Sequence, residues 1–106
     1  MPVPEDESNR TLAPCFTLVA DRSAVLVAGR EVVLTPVQFR LLATLMSEPG
    51  RIFTRSALVA QLFGGSVDER TVDVNVKDLR RRLSPDDARI ETVRGQGYRY
   101  RGAIMC

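Results

Sequence analysis

Residues 70–83, RTVDVNVKDLRRRL, constrain the fold more than any other stretch of this chain. At 100° per residue, Val72, Val76, Leu79 and Leu83 fall on one side of a helix. They form an apolar stripe that can seat it on a core. The opposite side carries Arg70, Lys77 and Arg81, with Val74 in their midst and Thr71 and Asp78 at the edge. A solvated helix face rarely places a branched apolar residue at its centre. A helix lying in a DNA major groove can use one, because the thymine methyl offers an apolar partner there. The segment is a candidate recognition helix.

The charge distribution agrees. Residues 1–69 hold six Arg against eight acids, a net −2, while residues 70–106 hold nine Lys or Arg against five acids, a net +4. Basic character gathered at one end of a domain is expected where that end faces an anionic partner, although an ordinary solvated surface would also account for it. A chain of 106 residues, 44% of them hydrophobic, is one domain with a small core. It has no apolar run of the roughly 18 residues a membrane helix needs, and no charged-then-apolar leader. The expectation is a soluble cytoplasmic protein that makes no membrane contact. Cys15 and Cys106 sit near opposite ends and match no metal spacing, so two reduced thiols are expected rather than a disulfide.

Residues 1–14, MPVPEDESNRTLAP, carry three prolines and the acidic run Glu5-Asp6-Glu7, and read as a flexible arm or linker remnant. Strand formers follow at Phe16–Ala20, Ala24–Ala28 and Glu31–Leu34, separated by turn signals at 21–23 and 29–30, which predicts a small antiparallel sheet. Thr35-Pro36-Val37-Gln38 then announces a helix: threonine at the N-cap, proline at the first helical position, and glutamine completing a capping box. Phe39, Leu42, Ala43 and Met46 carry its period, and Pro49-Gly50 stops it. Ile52-Phe53 is long enough for a bridging strand only. Thr54 caps a second helix through Phe63, carried by Leu58 and Leu62 and closed by Gly64-Gly65. Asp68 caps the third helix, which Ser84-Pro85-Asp86-Asp87 ends. Residues 89–101 alternate apolar and polar around Gly95-Gln96-Gly97, the pattern of a hairpin. The fold class is α+β.

From about Phe16 to Arg101 the chain resembles the winged helix-turn-helix effector domain of the OmpR/PhoB family of bacterial response regulators. The resemblance rests on AGREVVLTPVQFRLLATLM (28–46), GRIFTRSALVAQLFG (50–64), RTVDVNVKDLRRRL (70–83) and IETVRGQGYRY (90–100). It implies an N-terminal antiparallel sheet, three helices and a C-terminal hairpin that forms the wing, all within residues 15–106. It also implies a third helix in the major groove, a wing at an adjacent minor groove, and binding in pairs to direct-repeat sites. Contact of the loop between the second and third helices with RNA polymerase is a further implication. A receiver domain precedes this one in family members, so residues 1–14 are either the linker remnant of an excised effector domain or the arm of a stand-alone protein.

Phosphates fix the register of a protein on DNA, while base edges supply sequence information. Arg70, Lys77, Arg80 and Arg81 match family positions that contact backbone or bases, and Thr71, Val74 and Asn75 match groove-facing ones. Asparagine can pair bidentately with adenine, and Val74 or the Thr71 methyl can pack on thymine. Arg94 sits at the wing turn, where family members insert an arginine into the minor groove and read its shape. Gly95 and Gly97 let the backbone turn tightly near phosphates. Tyr98 is a further candidate contact, though period-two alternation points Tyr98 and Tyr100 together toward the core.

Two departures from the family stand out. Asp78 occupies a position where relatives often place a basic, base-reading side chain. It can accept from a cytosine amino group or orient Arg81 or Arg82 as an internal ion pair, and the ion pair is the favoured role. The loop GGSVDE is short and glycine-rich, and Phe63 stands where tryptophan is frequent, which weakens the expectation of polymerase contact.

The leading functional expectation is a sequence-specific regulator of transcription that binds double-stranded DNA. The alternative is a winged-helix module that binds protein without reading DNA, motivated by Asp78 and the modest net charge. With no histidine, no paired carboxylates and no activated cysteine or serine, catalytic residues, metal ligands and cofactors are expected to be absent.

Overall fold

The computed structural model describes residues 16–101. The acidic arm and both cysteines lie outside them. The described chain runs β1 (Phe16–Val19), β2 (Ala24–Val27), β3 (Arg30–Val33), α1 (Pro36–Ser47), α2 (Arg55–Phe63), α3 (Glu69–Leu83), β4 (Ile90–Val93) and β5 (Gly97–Tyr100). This is the expected order of sheet, three helices and hairpin.

The first three strands form an antiparallel sheet in the order β1-β2-β3. Its register pairs Phe16 with Val27 and Val25 with Val32, so alternation gathers these side chains on one face, where all four are buried. Leu26 and Val33 stand on the other face and are exposed.

Each helix begins with the cap its sequence announces. The Thr35 hydroxyl accepts from the Gln38 amide N–H at 3.1 Å, and the Gln38 Oε1 accepts from the Thr35 N–H at 3.0 Å, a complete capping box. Thr54 accepts from the Ala57 N–H at 3.1 Å, and Asp68 from the Arg70 N–H at 2.9 Å. Gly64, in the left-handed conformation, closes α2.

One expectation is revised in α1. The fully buried residues are Leu41, Leu42 and Leu45, with Phe39 and Met46 packed at the margin of the core and Ala43 half-buried. The helix touches α3, β5 and α2, so its buried arc is wider than one stripe and is centred a residue away from the one the period suggests. In α3 the expected stripe is observed: Val72, Val76, Leu79 and Leu83 are all buried.

Phe53 forms the short bridge expected of its two-residue island. It pairs antiparallel with Tyr98, donating to the Tyr98 carbonyl at 2.8 Å and accepting from its N–H at 3.0 Å. The two ends of the described chain also meet. The Phe16 and Tyr100 rings lie 5.7 Å apart, and the Phe16 N–H donates to the Tyr100 hydroxyl. The core is continuous from the first sheet through all three helices to the hairpin.

Candidate nucleic-acid interface

Burial of the apolar stripe decides which way the rest of α3 faces. With Val72, Val76, Leu79 and Leu83 inside, Arg70, Val74, Lys77 and Arg81 are left exposed on the far side. Val74 is 56% exposed, the most exposed large apolar side chain among the described residues. No ion pair among the described residues engages Arg70, Lys77 or Arg94, so three cations stand ready for an external anion.

At the edges of this face, Thr71 and Asn75 are half-buried, and the Asn75 amide donates to the Thr71 carbonyl at 2.8 Å. That bond aims the Asn75 head group while leaving its carbonyl oxygen and one N–H available. Asp78 lies 3.4 Å from the Arg81 guanidinium, one helical turn on. Both groups are well exposed, so the contact contributes little stability and acts on side-chain direction instead.

The hairpin sets the second part of the surface. Arg94, Gly95 and Gln96 form its turn, with the Gln96 N–H donating to the Val93 carbonyl at 2.8 Å, and Arg94 is exposed. Gly95 has φ +74°, a conformation glycine adopts without steric cost. Gly95 and Gln96 share an open cleft of about 270 Å³ with Thr54, Arg55 and Ser56 at the start of α2 and Glu69 at the start of α3. The wing turn and the leading ends of both helices therefore converge on one side of the molecule.

Two expected contact residues, Tyr98 and Arg80, are held by partners within the domain, and Gly97 meets a backbone neighbour. Tyr98 is 8% exposed, and its hydroxyl donates to Asp73 Oδ1 at 2.6 Å, so its ring is not available for stacking on a base. Burial, followed by the hydrogen bond to Asp73 and the charge of that carboxylate, pushes the phenol up from 10.0 to about 12, so it is a neutral donor at any physiological pH. Arg80 turns toward the hairpin. Its Nε and Nη2 donate to the Ile90 carbonyl at 3.1 and 2.8 Å, Nη2 donates to the Thr92 hydroxyl at 2.7 Å, and the guanidinium lies 5.8 Å from the Tyr98 ring centre. Gly97 is required by its neighbour rather than by a phosphate, because a β-carbon there would stand 2.0 Å from the Phe53 carbonyl oxygen.

Several positioning residues escaped the sequence reading. Arg55 reaches from the start of α2 to Asp73 at 3.2 Å and Glu69 at 3.8 Å on α3. Arg30 donates to the Leu83 and Ser84 carbonyls, and Arg82 to the Val33 carbonyl, joining the end of α3 to the first sheet. A buried tyrosine hydroxyl needs a partner, which was the available signal for Asp73. The other contacts join residues far apart in the chain and have no local signature.

Two helices joined by a Gly-Gly turn, the second seated on the core and basic outward, with a hairpin beside it, define a winged helix-turn-helix domain. The chain belongs to the family described as "transcriptional regulatory protein, C terminal", the effector domains of OmpR/PhoB type, whose family model matches residues 29–100. It is 49% identical over 96 residues to the phosphate regulon transcriptional regulatory protein PhoB of Rhizobium meliloti, an alignment covering 83% of this chain and 41% of that protein. It is 44% identical over 87 residues to the heme response regulator HssR of Staphylococcus haemolyticus, covering 78% and 39%. The chain thus spans about two fifths of the length of these relatives. Among solved structures, the DNA-binding domain of Klebsiella pneumoniae RstA, in complex with RstA box, matches with a TM-score of 0.72 and 32% identity over 84% of this chain and 93% of that one.

Proposed function

We propose that this domain binds double-stranded DNA in a sequence-dependent manner and thereby regulates transcription, with α3 in the major groove and the β4–β5 wing at the adjacent minor groove. The observation that carries the reading is the two-sided burial of α3. Its apolar stripe is closed to solvent, while Val74 stands exposed among Arg70, Lys77 and Arg81. Cations at that spacing supply the phosphate attraction, and an apolar centre supplies contact with a thymine methyl. Thr71 and Asn75 flank it as base-edge contacts. Arg94, exposed at the wing turn, is the minor-groove element.

Asp78 serves as the acidic guide of Arg81, a role supported by their 3.4 Å approach. Arg80 and Tyr98 support the surface from behind. Pairing of two copies on direct repeats, contact with RNA polymerase, and a cytoplasmic, nucleoid-associated location belong to the same proposal and rest on the family resemblance.

The test is a double neutralisation, Arg81→Ala with Arg94→Ala, assayed on duplexes that the wild-type chain selects from a random pool. Specific binding should vanish while the circular dichroism melt is unchanged. Unaltered affinity and salt slope would show that the surface is misassigned.

A further inference from the structure

Asp73 and Arg80 lie seven residues apart on α3, which puts them on one stripe of the helix, about a quarter turn from the centre of the face that Arg70, Val74, Lys77 and Arg81 form. That face is the one the hairpin covers. Near the start of α3, Asp73 accepts from the Tyr98 hydroxyl at 2.6 Å. Two turns on, Arg80 grips the Ile90 carbonyl and the Thr92 hydroxyl, and its guanidinium covers the Tyr98 ring. Arg55, from α2, closes on the same Asp73 carboxylate at 3.2 Å. Both hairpin strands and both helices of the motif are thus joined through polar side chains set beside, and not within, the face that would meet DNA.

We propose that Asp73 and Tyr98 are positioning residues whose hydrogen bond holds the wing in fixed register with α3, so that Arg94 and the groove-facing residues engage DNA as a unit. This rests on the reading of the domain as a DNA binder. A wing held only by its strand pairing could pivot about the Phe53–Tyr98 bridge, and ordering it would then be a cost of binding. Held at Asp73 and Arg80, it is ordered beforehand. The 2.6 Å bond is charge-assisted and part-buried, so it is among the stronger contacts in the hairpin. Arg80 hydrogen-bonds only to β4 among the described residues and meets β5 through the face of the Tyr98 ring. The Asp73 bond is what fastens β5, the strand that leaves the wing turn, to the helix.

The experiment is a double-mutant cycle read by fluorescence anisotropy on the full 106-residue chain. The probes are a duplex selected by the wild-type chain and a random-sequence duplex of equal length. Tyr98→Phe keeps the ring and removes the bond. It should weaken the selected duplex about tenfold, the scale of one charge-assisted hydrogen bond, and leave random duplex within about twofold, since phosphate attraction is untouched. Arg94→Ala should weaken the selected duplex about tenfold in the wild type but only about twofold in the Tyr98→Phe background, because an unregistered wing has less to lose.

Asp73→Asn, which keeps an oxygen acceptor, should fall between wild type and Tyr98→Phe, and it carries the test if Tyr98→Phe melts near the assay temperature. Strictly multiplicative losses, with Arg94→Ala costing the same in every background, would overturn the positioning role. Failure of the wild-type chain to prefer any duplex would instead overturn the DNA-binding reading itself.

Discussion

The carbonyl oxygen of Phe53 stands 2.0 Å from where a β-carbon on Gly97 would have to sit. Both are backbone positions, tied by the bridge between Phe53 and Tyr98, so neither can swing aside as a flexible side chain would. The wing therefore depends on a glycine at its base as well as at its tip.

Gly97→Ala should lower the unfolding free energy by about 2–4 kcal/mol, since the bridge must break or distort to admit the methyl group. Gly95→Ala, at φ +74° with open space around it, should cost only about 1 kcal/mol. Urea unfolding followed by circular dichroism separates the two. Equal losses would mean that the close approach is not what demands Gly97.

The capping box of α1 makes a separable prediction. Thr35→Ala removes the acceptor that the Gln38 N–H uses, and should cost about 1 kcal/mol. DNA affinity measured well below the melting temperature should not change, because α1 lies behind the proposed contact surface.

Lys77 and Val74 are neighbours on the exposed face of α3 and should fail differently. Lys77→Ala should flatten the slope of log affinity against log salt by about one, leaving sequence preference as it was. Val74→Ala should leave the slope alone and relax the preference for thymine at one position of the site. Competition titrations at several salt concentrations with single-base variants of the selected duplex measure both.

Tyr98 should report its setting in alkaline solution. Its phenol is raised from 10.0 to about 12 by burial and then by Asp73, so folding favours the protonated form. Stability from this group is complete below pH 10.0 and is lost as pH rises from there through about 12. Tyrosinate absorbance should show a late phase in the wild type, and its difference from the Tyr98→Phe titration should rise at about pH 12. A wild-type titration without the late phase would mean that the hydroxyl is open to water.

Much of the local structure was legible because it is caused locally. Thr35-Pro36-Val37-Gln38 satisfies helix-start donors within four residues, and the structure shows both reciprocal bonds. Gly64 closes α2 because its own φ permits it. The stripe of α3 follows from the helical period, and its burial fixes the exposed face without knowledge of any partner. The buried arc of α1 was legible only in part, since three neighbours widened it.

By itself, then, the sequence determined the elements, their caps, and which side of α3 is apolar. These depend on dihedral preferences and donors within a few residues, and the period needs no partner to be read. Only the tertiary structure decided that Arg80 faces the wing rather than solvent, that Tyr98 hands its hydroxyl to Asp73, and that Gly97 answers to Phe53. An arginine on a helix has the same local sequence whether its guanidinium meets water, a phosphate or a carbonyl. The choice is made by whatever the fold brings within hydrogen-bond reach. For Arg80 that is the Ile90 carbonyl, ten residues away in the chain, and for Asp73 the Tyr98 hydroxyl, twenty-five away.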